Sequence, residues 1–206
     1  MINQRELSAN NGNSENTSNS KTITINNKNL KGSETEKNLY KTFAGESRAR
    51  VKYELFAEKA KQEGYQWLGE LFSDVGANEL AHARAAYKMF LSLIGDTLSN
   101  LRDAVSGETD EYTNVYKEFE ETASKEGFTD IANFFKELRE VEEEHSKNFK
   151  ELADKLASGN IFKGDKNSKW YCMNCGYIYE GDEAPAVCPL CKYPKGYFKK
   201  YCEEDS

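Results

Sequence analysis

Proline, which interrupts helices, and cysteine, which can form crosslinks, are scarce in this sequence, and both occur only near its C-terminal end. The three prolines and five cysteines of the 206-residue chain all follow residue 170. A proline inside a helix removes a hydrogen bond and clashes with the preceding turn, so the first 170 residues can form long uninterrupted helices. The distribution therefore predicts a helical N-terminal part followed by a small module that contains the cysteines.

Positive charge and long apolar segments are also missing. The formal net charge is −7, whereas nucleic acids and anionic membranes select for clustered lysine and arginine. No apolar run reaches the roughly eighteen residues that a bilayer requires, and the N-terminus lacks the apolar region of a secretory signal. We therefore expect a soluble, cytoplasmic protein that binds neither nucleic acid nor membrane.

Composition divides the chain into segments. Residues 1–29 are rich in Asn and Ser and poor in large apolar side chains, so they are predicted to be a disordered tail, although "TITI" at 22–25 could form a short strand. Helical periodicity begins at Leu30. The predicted divisions are a tail at 1–29, a helical bundle at 30–160, a linker at 161–168 and a cysteine-containing domain at 169–206.

The chain has only two histidines, and both stand in the same setting. His82 follows Glu79 by three residues, and His145 follows Glu142 by three. Each pair interrupts an apolar stripe of helical spacing, so the carboxylate and the imidazole occupy core positions. Two further stripes each carry one glutamate at such a position, Glu46 and Glu108. These stripes predict four helices, at 35–62, 65–93, 97–125 and 128–157.

An internal repeat relates the first two helices to the last two. An offset of 63 residues aligns "KQEGYQWLGELFSDVGANELAH" with "SKEGFTDIANFFKELREVEEEH" without a gap. The preceding "AGES" and "SGET" also align, with one residue inserted between. The repeat indicates a duplicated helical hairpin, and two such hairpins pack naturally into an antiparallel four-helix bundle.

The acids on the buried faces need a partner, because burial of a lone carboxylate is costly. Apart from Arg50 at the edge of the first stripe, no lysine or arginine lies on these stripes, so ion pairing does not explain them. On a helix, Glu and His three residues apart present donor atoms from one face to one metal ion. A single Glu-x-x-His is common by chance. Two copies with matching acids predict a dinuclear site of the ferritin-like type, with the ligands Glu46, Glu79, His82, Glu108, Glu142 and His145.

Glu111 is a seventh candidate ligand, one turn after Glu108 in "GETDEY". The first hairpin has Arg48 or Ala49 at the equivalent position, and the alternative interpretation of Glu111 is an exposed acid. If Glu111 binds, one metal gains a carboxylate and His82 becomes an optional ligand. This asymmetry favours redox chemistry over storage.

The C-terminal module contains two C-x-x-C pairs with twelve residues between them. Four thiolates in two such pairs form a tetrahedral sulfur site for zinc or a single iron, and spacing alone favours a zinc ribbon. The many aromatic residues nearby either form a dry shell that tunes an iron or supply the small core that any such module needs. A fifth cysteine, Cys202, is predicted to be a free surface thiol. The predicted metal ligands are Cys172, Cys175, Cys188 and Cys191.

These motifs together resemble the rubrerythrin family. The segments that carry the resemblance are "LKGSETEKNLYKTFAGESRAR", "NELAHA", "GETDEYTNVY", "EEEHSKNF" and "WYCMNCGYIYEG…CPLC", and the similarity runs from about Leu30 to Phe198. It implies an all-α, ferritin-like four-helix bundle that holds a non-haem di-iron site. It also implies a small C-terminal β domain, rubredoxin-like and similar to a zinc ribbon, that holds one iron on four cysteines.

The resemblance also assigns roles by position. It implies that the seven glutamates and histidines above are the di-iron ligands, and that one iron moves between Glu111 and His82 with redox state. Tyr53 and Tyr116 match aromatic neighbours of the site that can hydrogen-bond to its carboxylates, with ordinary core packing as the alternative. The polar N-terminal extension and the "KKYCEEDS" end depart from the family and carry none of these ligands.

The function implied by the resemblance is reduction of hydrogen peroxide to water in protection against oxidative stress. Electrons would come from NAD(P)H through a separate reductase and rubredoxin. The resemblance further implies a homodimer in which the rubredoxin-like domain of one subunit lies near the di-iron site of the other. The alternatives are a ferritin-like ferroxidase or iron-storage protein, and a zinc-ribbon adaptor on a helical scaffold.

Overall fold

A computed structural model of the chain describes residues 24–25 and 28–201. These residues form two compact units that divide between Ile94 and Gly95, and each unit is described by itself. Within the described ranges, no helix is long and apolar enough to cross a membrane.

The first unit is built around an antiparallel helical hairpin. A short ribbon precedes the hairpin, and the strand in "TITI" pairs with the second strand of this ribbon. Residues 24–25 and 28–29 of the segment predicted as a disordered tail therefore form this ribbon, and the other residues of that segment lie outside the described residues. The elements are β1 (Thr24–Ile25), β2 (Lys28–Asn29), α1 (Glu34–Gln62), α2 (Gln66–Arg84) and a π-helical segment (Ala85–Phe90).

Local sequence explains where the first hairpin starts and turns. The Ser33 hydroxyl accepts a hydrogen bond from the Glu36 backbone N–H at 3.0 Å, which satisfies one free donor of the first turn of α1. Gly64 has a φ of 88°, a left-handed conformation that glycine adopts without strain, and it allows α2 to start two residues later. We call α1, α2 and the π-helical segment that follows α2 the first hairpin.

The second unit contains the second hairpin, which repeats this plan. The Asp96 carboxylate accepts from the Ser99 backbone N–H at 2.7 Å, and Gly127, at a φ of 84°, makes the turn between its two arms. One arm is continuous but changes its helical type midway. The elements are α3 (Thr97–Asp110), a π-helical segment (Glu111–Val115), α4 (Tyr116–Glu126) and α5 (Thr129–Ala157).

Small residues fill the space between the two arms of each hairpin. In the first hairpin, Gly69 and Gly76 of α2 are buried, and a Cβ added at Gly76 would lie 3.1 Å from Arg50 Nη1 on α1. In the second hairpin, the buried Ser146 shares a hydrogen bond of 2.8 Å with Thr109. The arms therefore pack closely, and many large apolar side chains are left on the outer faces of the hairpins.

The predicted helix boundaries agree with the structure to within a few residues, with two differences in helical type. The second helix ends at Phe90, three residues early, in a π-helical segment. The third helix contains a π-helical segment where the repeat has its inserted residue. An α-helix absorbs one extra residue as a single wide turn, so the insertion explains this segment.

The second unit also contains the cysteine module. Its sheet has the strand order β4-β3-β5 and antiparallel pairing throughout, with Trp170 opposite Tyr179 on one side and Lys200 on the other. The strands are β3 (Lys169–Cys172), β4 (Ile178–Glu180) and β5 (Phe198–Lys200), and a 3₁₀ turn (Lys195–Tyr197) precedes β5. The described residues therefore have the predicted fold class, four long helical segments and a small C-terminal sheet.

The core of the module is centred on Trp170, which is 1% exposed and whose Nε1–H donates to the Gly181 carbonyl at 3.0 Å. Phe162 packs against this core, and its carbonyl accepts from the Ala184 N–H at 2.9 Å. Part of the segment predicted as a linker at 161–168 therefore contributes to the packing of the module.

Candidate metal centres

The first hairpin brings three of the predicted ligands together. Glu46 lies on α1, and Glu79 and His82 lie one turn apart on α2. His82 Nδ1 is 2.9 Å from Glu79 Oε2 and 3.7 Å from Glu46 Oε2. One donor atom from each residue lies within 4.8 Å of the other two, a spacing at which a single metal ion can bind all three.

The second hairpin repeats this cluster with nearly the same dimensions. Glu108 lies on α3, and Glu142 and His145 lie on α5. His145 Nδ1 is 2.7 Å from Glu142 Oε2 and 3.7 Å from Glu108 Oε2, and these three donor atoms also lie within 4.8 Å of one another. The agreement between the hairpins indicates that the duplication preserved the arrangement of these three side chains as well as the helical pattern.

Electrostatics in the second cluster favour a bound cation. Burial, a hydrogen bond shared with the Glu142 carboxyl group and the charge of Glu142 together raise the pKa of Glu108. Glu142 is only 9% exposed. Two carboxyl groups this close, one of them buried, can share a proton, or a cation can replace that proton and satisfy both of them. The donor set therefore suits a divalent metal.

Glu111 is the first residue of the π-helical segment and lies beside the second cluster. Its charge acts on Glu108, and it is hydrogen-bonded to the Tyr116 side chain. Burial, followed by the charges of Glu111, Glu142 and Glu108, raises the pKa of Tyr116. Tyr116 therefore keeps its proton and can donate it to a carboxylate.

The two predicted tyrosines have matching aromatic surroundings. Tyr116 lies 6.3 Å from the Phe135 ring, and its counterpart Tyr53 lies 6.2 Å from the Phe72 ring. Tyr53 also contacts Phe56 in the first hairpin. Both tyrosines therefore pack against aromatic rings, and Tyr116 in addition interacts with the Glu111 carboxylate.

Arg139 is a residue near the second cluster that the sequence did not single out. Its Nε donates to the Tyr112 carbonyl at 3.1 Å, inside the π-helical turn, and its Nη1 donates to Glu120 at 2.6 Å. The first bond attaches the π-helical turn to α5, and the second attaches α4 to α5. The one available signal was the inserted residue, which implies a distorted turn but not the side chain that contacts it.

The four predicted cysteine ligands converge in the C-terminal module. Cys172 Sγ is 3.7 Å from Cys191 Sγ, Cys175 Sγ is 3.8 Å from Cys188 Sγ, and all four sulfurs lie within 4.8 Å of one another. A tetrahedron of sulfurs with metal–sulfur bonds of about 2.3 Å has edges of about 3.8 Å. The sulfurs are therefore arranged as a tetrahedral metal site requires.

Each C-x-x-C pair folds into the same small loop. The Cys172 carbonyl accepts from Gly176 at 2.8 Å, and the Cys188 carbonyl accepts from Lys192 at 3.0 Å. A backbone N–H of Tyr193 reaches the Cys191 sulfur and, with partial opposition from burial, lowers its pKa to about 6. A thiolate therefore forms readily here, as metal binding requires.

In contrast to Cys191, its neighbour Cys175 holds a proton. The backbone N–H of Tyr177 lowers the pKa of the Cys175 thiol, but burial and the neighbouring sulfurs outweigh it and raise the pKa to about 12. A metal cation would displace this proton and leave four thiolates. The fifth cysteine, Cys202, lies outside the described residues.

The aromatic residues of the module are mostly part of its core. Phe198 is buried in a cluster that also contains Trp170 and two of the cysteines. Tyr177 and Tyr179 pack against this cluster. Other rings pair near the surface, such as Tyr193 and Tyr197 at 4.7 Å between centroids. The same rings both fill the core and cover part of the sulfur site.

The chain is similar to known proteins over most of its length. The family model described as rubrerythrin matches residues 37–153 and 99–173, and the model of the rubrerythrin rubredoxin-like domain matches residues 170–199. The chain is 38% identical to rubrerythrin of Porphyromonas gingivalis, over 84% of this chain and 92% of the relative. It is 39% identical to rubrerythrin-1 of Clostridium acetobutylicum (84% and 96%) and 38% identical to rubrerythrin of Nitratidesulfovibrio vulgaris (84% and 96%).

Proposed function

Because this chain belongs to the rubrerythrin family, we propose that it is a non-haem di-iron peroxidase that reduces hydrogen peroxide to water and protects against oxidative stress. The observation that carries the proposal is the pair of matching Glu, Glu and His clusters, one in each hairpin, on the same chain as a four-sulfur site. Storage of iron alone does not require an attached one-electron carrier.

The residues of the two clusters are proposed to hold two iron ions. Glu46, Glu79 and His82 would bind one, and Glu108, Glu142 and His145 would bind the other. Glu111 would add a carboxylate to the second half of the site, exchanging with His82 as the redox state changes. When bound, the two ferrous ions would supply the two electrons that split the O–O bond of the peroxide.

The chain itself contributes position, charge and protons. The carboxylates neutralise the cations, and their partial burial strengthens this interaction. Reduction of hydrogen peroxide to two water molecules consumes two electrons and two protons. Tyr116, which keeps its proton and is hydrogen-bonded to Glu111, is placed to hold a proton beside the cluster and to orient that carboxylate.

The cysteine module is proposed to return electrons to the site. Iron on Cys172, Cys175, Cys188 and Cys191 would carry one electron at a time, which zinc cannot do. NAD(P)H, through a separate reductase and rubredoxin, would be the source of the electrons. A homodimer would place the module of one subunit near the di-iron site of the other.

Rapid mixing of the anaerobically reduced protein with hydrogen peroxide tests the proposal. The wild type should oxidise at once, and the visible band of thiolate-bound iron should report the cysteine site. Glu142→Ala should lose this oxidation, so the band of ferric, thiolate-bound iron should stay absent after mixing, whereas the oxidised variant before reduction should show the same band as the wild type. Glu143→Ala is the matched control, because the Glu143 side chain is 46% exposed and pairs with Lys147, and it should behave as wild type.

The competing functions give different results in the same experiment. A ferroxidase would oxidise faster with dioxygen than with peroxide, and a zinc-ribbon adaptor would be colourless. Full peroxide turnover by Glu142→Ala would contradict the proposed site.

A further inference from the structure

We infer that each di-iron site is completed by two copies of the chain, with the first hairpin of one copy docked on the second hairpin of another. The inference rests on the proposed function, since it concerns how the two metal clusters meet. It is carried by the length of the connection between the hairpins, by the outer faces of the hairpins and by the open sides of the clusters.

The connection between the hairpins is too short for a ferritin-like bundle made from one chain. Such a bundle contains one long crossover connection. Tight turns close both hairpins, at 63–65 and 127–128, so the crossover has to be the segment at 91–96. This segment has six residues, so Phe90 and Thr97 are seven steps apart and at most about 25 Å apart when the segment is fully extended.

The distance that the crossover must span is larger. Phe90 lies eleven residues after Glu79, and Glu108 lies eleven residues after Thr97, where α3 begins. At about 1.5 Å per residue, each stretch measures about 16 Å, so parallel helices with both acids at one level have ends about 33 Å apart. The segment falls short by about 8 Å.

The segment at 91–96 is also folded locally and is not extended. Leu91 is 1% exposed, and the Leu93 N–H donates to the Tyr87 carbonyl at 3.2 Å. At the other end, Gly95 and Asn100 exchange hydrogen bonds of 2.8 Å and 3.1 Å. Stretching the segment would break these bonds and expose a buried leucine.

The outer faces of the hairpins expose large apolar side chains at equivalent positions of the repeat. Phe56 and its counterpart Phe119 are both 43% exposed, and Leu71 and its counterpart Phe134 are 50% and 57% exposed. Leu71 lies eleven residues before His82, and Phe134 lies eleven residues before His145, so each shares a helical edge with a ligand. The exposed face and the ligand cluster therefore form one surface, which suits a second hairpin.

The ligand clusters are also open on this surface. The side chains of His82 and His145 are 59% and 50% exposed, although they stand at positions that the sequence assigns to a core. A cluster of two carboxylates and one imidazole satisfies part of the coordination sphere of an iron. Docking of the opposite hairpin would bury both imidazoles and place the two clusters together.

Mixing two inactive variants tests this inference. One variant carries Glu46→Ala and Glu79→Ala, and the other carries Glu108→Ala and Glu142→Ala. Each alone keeps one ligand cluster, so it can hold at most half of the bundle iron and should have no peroxide turnover. When the two are refolded together with ferrous iron, half of the dimers are mixed and each mixed dimer has one intact site, so about a quarter of the wild-type peroxide turnover should return.

Absence of this rescue, with both variants folded by circular dichroism, would overturn the inference, because a bundle closed within one chain has no intact site to regain. A connection lengthened by about twelve Gly and Ser residues, which add more than the missing distance of about 8 Å, should abolish the rescue by allowing each chain to close its own bundle. Rescue that persists with the longer connection would contradict the argument from length.

A second measurement separates this inference from the proposed function. Protein labelled with ¹⁵N is refolded with unlabelled protein, without metal, and lysines are crosslinked. Crosslinks between α1–α2 and α3–α5 should join a heavy chain to a light chain. If they join only chains of equal mass, the inference fails; if wild-type protein binds no bundle iron but heavy–light crosslinks form, only the proposed function fails.

Discussion

The two hairpins hold the same ligand triad in nearly the same geometry, but only the second surrounds it with additional polar groups. The distances from the histidine Nδ1 to the acid on the neighbouring arm are 3.7 Å in both. The second hairpin adds Glu111, where the first has Arg48 or Ala49. One inserted residue, absorbed by a π-helical turn, thus separates a symmetric pair of clusters into two unequal ones.

The two hairpins also differ in the position of the arginine that lies between their arms. Arg50 projects from the first arm of the first hairpin toward Gly76, and Arg139, which replaces that glycine in the repeat, projects from the opposite arm of the second hairpin. Arg139 reaches the carbonyl of Tyr112 within the wide turn. The arginine thus lies on the first arm in the first hairpin and on the second arm in the second hairpin, where it supports the π-helical turn.

The largest effect should come from removing one acid of either triad. Glu79→Ala and Glu142→Ala should each abolish peroxide turnover and leave the cysteine iron bound, because both halves of the site are needed. Cys172→Ser should do the reverse, with loss of the cysteine iron and retention of bundle iron. Iron per chain and the visible spectrum measure all three, and turnover that survives in either glutamate variant would show that the halves are not both required.

Removing the additional carboxylate should have an intermediate effect. Glu111→Ala should lower peroxide turnover by roughly tenfold to a hundredfold, the range for groups that tune a metal site, and leave two bundle irons bound. Ala49→Glu places a carboxylate at the equivalent position of the first hairpin and serves as the matched variant. Unchanged turnover in Glu111→Ala would indicate that the asymmetry between hairpins has no catalytic role.

The smallest effect should be on stability alone. Arg139→Met removes two partly buried hydrogen bonds and should lower the free energy of unfolding by about 1–3 kcal/mol. Arg50→Met removes an ion pair with Glu54 at the surface and should lower the free energy of unfolding by less than about 1 kcal/mol. Urea unfolding of the metal-free protein compares the two, and equal losses would mean that Arg139 does not support the π-helical turn.

Much of the site could be predicted from the sequence because its signals are local. Glu79 with His82 and Glu142 with His145 share a helical face whatever the tertiary structure, and the C-x-x-C pairs form their loops through bonds within five residues. Turns at Gly64 and Gly127 follow from the conformational freedom of glycine.

The remaining features depend on contacts that periodicity does not encode. A repeat with one inserted residue indicates a distortion, but it does not identify the π-helical type or the contact of Arg139 with Tyr112. Phe162 was assigned to a linker, yet its ring packs on the module core, since one aromatic residue carries no periodic pattern. The exposure of His82 and His145 could not be foreseen, because a core position in sequence specifies burial without specifying the partner that supplies it.

Anomalous diffraction at the iron edge, from crystals of anaerobically prepared, iron-replete protein, tests the central claim most directly. The account predicts three peaks per chain: one among the four cysteine sulfurs, one beside Glu46, Glu79 and His82, and one beside Glu108, Glu142 and His145. A peak at the cysteines with none at the two glutamate–histidine clusters would contradict it.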